Sequence, residues 1–366
     1  MSSILFFLFL IIVGIQVGYY GILFIPFSFV KKQDILASEY PVSVIIACKN
    51  EGKNLRKNLP KILSQIYAKF EIVLIDDAST DDTLSVMRGF AKQHDTIKIL
   101  SIPKSKTYTG NKKNALSQAI QKAKYEHLLF TDADCYPVSK SWIAEMATSF
   151  SVKKQLILGY GAYKKKPGYF NKLVRYETLL TAWQYLSYAL VGLPYMGVGR
   201  NIAYTKRLFK KSKGFQSHQD IQSGDDDLFV NQVGTVDNIS ICWEPSAHTL
   251  SEPKTNIQDW IRQKRRHVTT AVFYKPIHQF LLGTFYVSQL LFYSLFFLLL
   301  FTYNNPKIIL LLAGIRFLVF YFSLIPSAKK LKEKDLILCA PLLEIFLISM
   351  QIRIFIENLW EKPKGW

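Results

Sequence analysis

Residues 128–135 read LLFTDADC, an apolar run ending in two carboxylates one residue apart, Asp132 and Asp134. A buried strand of this kind carries both acids at its C-terminal edge, where open α/β sheets bind their ligands. Two carboxylates so close repel one another unless a cation lies between them. Hard divalent ions such as Mg2+ take oxygen ligands and usually share them with substrate phosphates. The plainer reading is a strand followed by an acidic turn, since Asp is a common turn residue. The sequence on either side favours the metal–phosphate reading.

A second acidic group stands at residues 223–229, SGDDDLF. Asp225, Asp226 and Asp227 repel one another, so at least one carboxyl should keep its proton to higher pH than usual. Such a group can take a proton from a hydroxyl. The same acids also suit a helix N-terminus, whose dipole favours negative charge, and both readings can hold together. Lys112 and Lys113, in GNKKNAL, open a helix at the end where lysine is disfavoured. A nearby anionic ligand would explain them, and so would simple solvation. Gly197 and Gly199, in GVGRN, permit close approach of the backbone to a ligand.

These residues need a scaffold, and the pattern from Pro41 onward supplies one. Val42–Cys48, VSVIIAC, is a continuous β-branched run, as expected of a strand covered on both faces. KNEGKNL follows, with Asn54 as the expected helix cap and a helix to about Tyr67. Residues 71–75 form a second strand ending in Asp76 and Asp77, residues 83–93 a helix, and residues 97–102 a third strand. The GNKKNAL helix has an apolar face of Ala115, Leu116, Ala119, Ile120 and Ala123. Residues 127–131 are the fourth strand. Strands alternating with helices imply a parallel sheet with right-handed crossovers, an α/β fold.

The chain has 366 residues, room for two or three structural units, and a net charge of +19. A basic balance suits nucleic acid or an anionic membrane face. No aromatic RNA-binding signature or zinc-finger spacing is present, so no nucleic-acid partner is expected. Cys48, Cys135, Cys242 and Cys339 have no paired spacing, which argues against a disulfide framework or a structural zinc site.

Apolar residues gather at the two ends. Residues 4–30 carry no charge and can cross a bilayer. A signal peptide would have a basic start and a shorter apolar run. Lys31 and Lys32 follow, which places the N-terminus outside and residue 31 onward in the cytosol. Residues 280–301, 308–325 and 336–356 are further apolar runs. Lys329, Lys330, Lys332 and Lys334 put the loop before the last run in the cytosol as well. Four spans with both termini outside result. The last run contains Glu344, Gln351 and Arg353, which suit an interfacial or re-entrant segment. Residues 169–194, rich in Leu, Tyr and Trp, read as an amphipathic segment on the membrane interface, with a buried helix as the alternative.

VSVIIACKNEGKNL, IVLIDDASTDDT, GNKKNAL and LLFTDADC, in this order and spacing, resemble the front half of a family 2 glycosyltransferase of the GT-A fold. The resemblance covers roughly residues 41–274. It implies a nucleotide-sugar at the strand ends, with Ala47, Asn50, Glu51 and Asp77 around base and ribose, and Lys112 near the nucleotide or donor sugar. It further implies Asp132 contacting the nucleotide-sugar, and Asp134 with Asp132 holding Mg2+ or Mn2+ against the diphosphate. The family's acidic pair, whose second member is the catalytic base, nominates Asp226, with Asp225 as the alternative. The family's small-residue loop ending in Asn places Asn201 on the acceptor side. Its last motif, Gln-x-x-Arg-Trp, here reads Gln263-Lys264-Arg265-Arg266-His267, with His in place of Trp. Arg266 would engage diphosphate oxygens through its fork, with Gln263 and His267 toward the acceptor. The same cluster also suits a basic patch on a membrane surface.

The expected organisation is an N-terminal transmembrane helix at 1–30, a cytosolic GT-A domain at 41–275 and about three C-terminal transmembrane helices at 280–356. The expected function is a membrane-bound inverting glycosyltransferase of the plasma membrane. It would move a sugar from a nucleotide-sugar to a lipid or lipid-linked glycan. A processive polysaccharide synthase is the alternative within the fold, weakened by the altered last motif and by few spans. A non-catalytic membrane scaffold would have no need for Asp77, Asp132, Asp134 and Asp226 together.

Overall fold

The structure, a computed structural model, describes residues 2–32, 40–105, 110–221 and 223–360. The chain forms two compact units. One is an α/β unit of Lys32–Lys164 and Pro194–Pro253; the other is helical and joins the N-terminal stretch to Lys165–Leu193 and to the chain from Lys254 onward. The units do not follow the linear order, because residues 165–193 and 254–275 group with the apolar helices.

Among its described residues the α/β unit holds ten strands: β1 (Val42–Cys48), β2 (Phe70–Asp77), β3 (Ile97–Ile102), β4 (His127–Phe130), β5 (Cys135–Pro137), β6 (Leu156–Leu158), β7 (Gly161–Tyr163), β8 (Ile202–Thr205), β9 (Ile239–Ile241) and β10 (Thr249–Ser251). Seven make one sheet in the order β3-β2-β1-β4-β8-β6-β9, and β5-β10-β7 make a smaller sheet. The first four strands of the large sheet run parallel, and β8 lies antiparallel to both β4 and β6. β1 is buried along both faces, as its unbroken β-branched sequence requires. Each of its Val and Ile side chains contributes ~1.5–3 kcal/mol by leaving water. Leu55, Leu59 and Ile62 lie on one side of the helix Gly52–Leu63 and pack into the same core as Val44 and Ile46. That helix starts earlier than the sequence suggests: Glu51 is its N-cap, and Asn54 donates to the Glu51 carboxylate at 2.6 Å instead of capping. The helix Lys112–Lys122 is capped by Asn111, whose side chain accepts from the Asn114 N–H.

Chain order reverses at β1. The chain steps from β1 to β2 on one side and later to β4 on the other. This switch point opens a crevice at the carboxyl ends of β1 and β4, the usual ligand position in such sheets.

In the helical unit, three helices among the described residues are long and apolar enough to cross a membrane: Ser3–Phe29, Pro276–Thr302 and Pro306–Lys330. The expected count of about three C-terminal spans is therefore reduced to two. The last apolar run is a helix, Ala340–Trp360, but Glu344, Arg353 and Glu357 interrupt it. The helix Tyr169–Leu190 is buried around nearly its whole circumference, so it is a packed helix and not one with a single apolar stripe. Three of its polar side chains are met by residues of its own unit. Arg175 pairs with Glu333 and, at 2.7 Å, with Asp335. Trp183 Nε1 and Ser187 Oγ both donate to the Phe24 carbonyl at 3.2 Å. All four cysteines are free.

Candidate active site

The crevice at the switch point is a small cleft, open to solvent. Ala47 comes from the end of β1, Asp132 from the end of β4, Lys112 from the first turn of its helix, and Asp225 and Asp226 from the turn before the helix Asp227–Val233. Segments far apart in sequence therefore deliver three acids and one lysine to one place. Lys112 Nζ lies 3.0 Å from Asp132 Oδ1 and 2.9 Å from Asp225 Oδ2. Burial alone would depress this ammonium, but the charges of Asp132, Asp225 and Asp226 outweigh it and hold the group well above its ordinary value. The disfavoured lysine at a helix start is thus explained by the anions facing it.

Asp226 sits differently from its neighbour. Its carboxylate accepts the Gly199 N–H at 2.5 Å and the Asp227 N–H at 2.8 Å. Burial first, and then the charges of Asp225 and Asp227, push it up to about 7, against the pull of Lys112 and the Gly199 N–H. The close approach requires glycine at 199, where a Cβ would stand 3.3 Å from Asp226 Oδ2 and 3.5 Å from Lys112 Nζ. Asp225 pairs with Lys112, and Asp226 is poised to exchange a proton near neutral pH.

Asp132, Asp134 and Cys135 offer ligating atoms within 4.8 Å of one another. Asp134 reaches solvent at its side, yet the crowded rim of the cleft raises its carboxyl, by desolvation first and by the Asp132 charge second. Two hard carboxylates, each holding the other off, fit a hard divalent ion that completes its shell with phosphate oxygens. Glu51 is raised by burial, against the Asn54 hydrogen bond, with Asp134 and Asp132 adding to the rise. It therefore belongs to the same electrostatic neighbourhood.

Asn50 has φ 60°, and its side-chain oxygen accepts the Thr80 N–H at 2.8 Å while its own N–H donates to Ser79 Oγ at 3.0 Å. It staples the loop after β1 to the loop after β2. Asp77 is buried at the end of β2 and accepts the Asn111 N–H at 3.2 Å. Asn201 does not face the cleft as expected from the acceptor side. Its side chain is fully buried, donates to the carbonyls of Tyr160 and Ala247 at 3.0 and 2.8 Å, and accepts from Trp142 Nε1 at 3.0 Å. It braces the loop that presents Gly199. Gln263, Arg266 and His267 lie on the helix Ile257–Val268 of the helical unit. On the same helix, Lys264 pairs with Glu177 at 2.5 Å and Arg265 donates to Asn358 at 2.8 Å.

Two residues have roles that their local sequence does not assign. Lys113 is buried, and its ammonium donates to the carbonyls of His218 and Ile221 at 2.6 and 2.8 Å, anchoring the segment that leads to Asp225. Arg200, in the turn before β8, acts electrostatically on Asp134 and Asp132 with its side chain laid against Ser251 and Tyr163 of the small sheet. The unfavourable helix position was the one available signal for Lys113.

The mixed sheet, its switch-point cleft and the paired aspartates define a GT-A type of nucleotide-diphospho-sugar transferase fold. Over 94% of this chain and 98% of the other, the structure is similar to a mannosyltransferase from Pyrobaculum calidifontis solved in complex with GDP-Man and Mn2+, with TM-score 0.58 and 18% identity. Residues 43–212 match the model of Glycosyl transferase family 2. It is also similar to poly-beta-1,6-N-acetyl-D-glucosamine synthases of Staphylococcus. Identity is 34% over 93 residues with that of S. epidermidis, covering 25% of this chain and 21% of the relative. With that of S. aureus strain COL it is 32% over 111 residues, covering 30% and 26%. The matched part thus spans about a quarter or less of these relatives' length.

Proposed function

We propose that this protein is a membrane-bound inverting glycosyltransferase that moves a sugar from a nucleotide-sugar to a lipid or lipid-linked glycan. The observation that carries the reading is Asp226, a carboxylate pushed up to about 7 beside the Lys112–Asp132 pair in one cleft. Asp226 takes the proton of the acceptor hydroxyl as its oxygen bonds to the anomeric carbon. The bond from that carbon to the diphosphate breaks on the opposite face, which inverts the configuration. Lys112 meets negative charge on the donor side, while Ala47, Asn50, Glu51 and Asp77 bound the nucleotide. Asp132 and Asp134 would hold Mg2+ or Mn2+, which supplies charge stabilisation to the leaving diphosphate when bound.

The lysines beside the apolar helices support a plasma-membrane protein whose residues 41–275 work in the cytosol. A second reading, a processive polysaccharide synthase, is favoured by the names of the staphylococcal relatives. The test is a screen of nucleotide-sugars with the purified protein, beginning with UDP-N-acetylglucosamine and GDP-mannose. Metal-dependent release of nucleoside diphosphate is expected from at least one donor, and release from none would overturn the proposal. Product length on a sizing gel separates single transfer from processive synthesis.

A further inference from the structure

Arg200 has no part in the reaction just described, yet residues in or next to both sheets hold it in place. Its backbone carbonyl accepts the hydroxyls of Thr131 and Thr249, each at 3.0 Å, so residues next to both sheets fix its position. Its side chain runs over Gly161 of β7, where a Cβ would stand 2.9 Å from Arg200 Cβ and 3.3 Å from Nε. The guanidinium lies 4.5 Å from the centre of the Tyr163 ring, and Nη1 donates to Ser251 Oγ at 3.2 Å. Strands β7 and β10 thus mount one cation, and β5 begins at Cys135, directly after Asp134. The charge of Arg200 acts on Asp134 and Asp132.

Lys112 does the same for Asp132 from the other side of the chain's order, at 3.0 Å. The two carboxylates therefore have two fixed counter-charges of the protein's own. A divalent ion arriving alone gains the carboxylates but meets both cations, whose repulsion offsets part of the gain. A diphosphate arriving with the ion reverses this balance, because Lys112 and Arg200 then have phosphate oxygens to meet. Guanidinium is suited to that exchange, since its planar fork takes two oxygens at once and stays charged.

We infer that Arg200 is a binding residue for the donor's diphosphate and that it makes metal binding at Asp132 and Asp134 conditional on that diphosphate. The inference rests on the donor and metal assignment proposed above. It differs from a structural role for Arg200 in one respect: it requires two affinities to move in opposite directions when the charge is removed.

The experiment uses the full chain in detergent. Mn2+ binding alone is followed by electron paramagnetic resonance of the free ion, and UDP and GDP are titrated at saturating Mn2+ by calorimetry. Arg200→Met should bind Mn2+ alone about 3–10-fold more tightly than wild type, from the lost repulsion. It should bind the nucleoside diphosphate about 10-fold or more weakly, from the lost charge-assisted pair. Arg200→Lys, which keeps the charge without the fork, should bind Mn2+ alone as wild type does and the diphosphate about 3-fold more weakly. If Arg200→Met weakens both affinities or changes neither, the inference is overturned. Where Arg200→Met does not fold, Arg200→Lys carries the test, and unchanged diphosphate affinity in that variant overturns it. If wild type binds neither UDP nor GDP with Mn2+, the donor-site reading itself falls, an outcome distinct from equal binding by wild type and variant.

Discussion

Two charge clusters in this protein have similar chemistry and opposite surroundings. In the helical unit, Arg316 and Glu344 meet at 2.6 Å with their side chains 0% and 1% exposed. Glu344 also accepts from the Tyr20 hydroxyl at 2.8 Å and from Gln289 and the Tyr293 hydroxyl at 2.5 Å each, and Arg316 donates to Gln16 at 3.1 Å. In the cleft, Lys112, Asp132 and Asp225 are 24%, 34% and 14% exposed, and the acids outnumber the lysine. The first cluster is closed: its carboxylate is saturated by side chains from several helices, which ties those helices in register. The second is open to water and can exchange its partners for a ligand. Burial, not residue type, separates a lock from a site.

The largest effect should come from the open cluster. Asp226→Asn is expected to lower transfer ~10²–10⁴-fold, the usual cost of losing a general base. Asn is itself a good N-cap, so the helix Asp227–Val233 should survive, and nucleotide binding should stay near wild type. Asp227→Asn should keep much of its activity. If Asp225→Asn abolishes transfer while Asp226→Asn does not, the base has been placed one residue too far along.

The closed cluster should respond in stability instead. Arg316→Met or Glu344→Leu alone leaves a buried charge without its partner, at a cost of ~3–5 kcal/mol. The double variant should lose less than either single one, read by thermal unfolding in detergent. A double variant at least as unstable as the sum of the singles would remove the distinction drawn here.

These two clusters also show what could be read from the sequence and what could not. Asp132, Asp134, Lys112 and Asp226 announce themselves by local pattern: an apolar run closed by acids, a lysine where the dipole opposes it, a triplet of aspartates. β1 and β3 fall where their patterns put them. Asn201 was misjudged because the partners of its side chain, Trp142, Tyr160 and Ala247, lie some forty to sixty residues away. Local sequence carries no trace of such contacts. For the helix Tyr169–Leu190 the sequence leaves an interfacial segment and a buried helix both open, because a helix buried on all sides has no single apolar stripe to recognise. Glu344 looked like an interruption of a span until Arg316, twenty-eight residues earlier, supplied its counter-charge.

Smaller effects should follow pH. Because ionised Asp226 is the working form, transfer should rise with pH along a limb centred near 7. Lys112 lowers that value, so Lys112→Met should move the limb to higher pH. An unmoved limb would mean that another group titrates there. The folded-state value lies above that of an unfolded carboxylate, ~4. Stability from Asp226 is therefore fully present below that range and lost as pH rises through about 7. Asp226→Asn should flatten that part of the stability profile.

The central claim is that Asp132 and Asp134 make the cleft a divalent-metal site for sugar transfer. Its most direct test is release of nucleoside diphosphate by wild type and by Asp134→Asn, each with Mn2+, with Mg2+ and in excess chelator. Wild type should turn over with at least one of the metals and fall to background in chelator, while Asp134→Asn stays at background throughout. Full turnover of wild type in excess chelator, or of Asp134→Asn with either metal, would contradict the account.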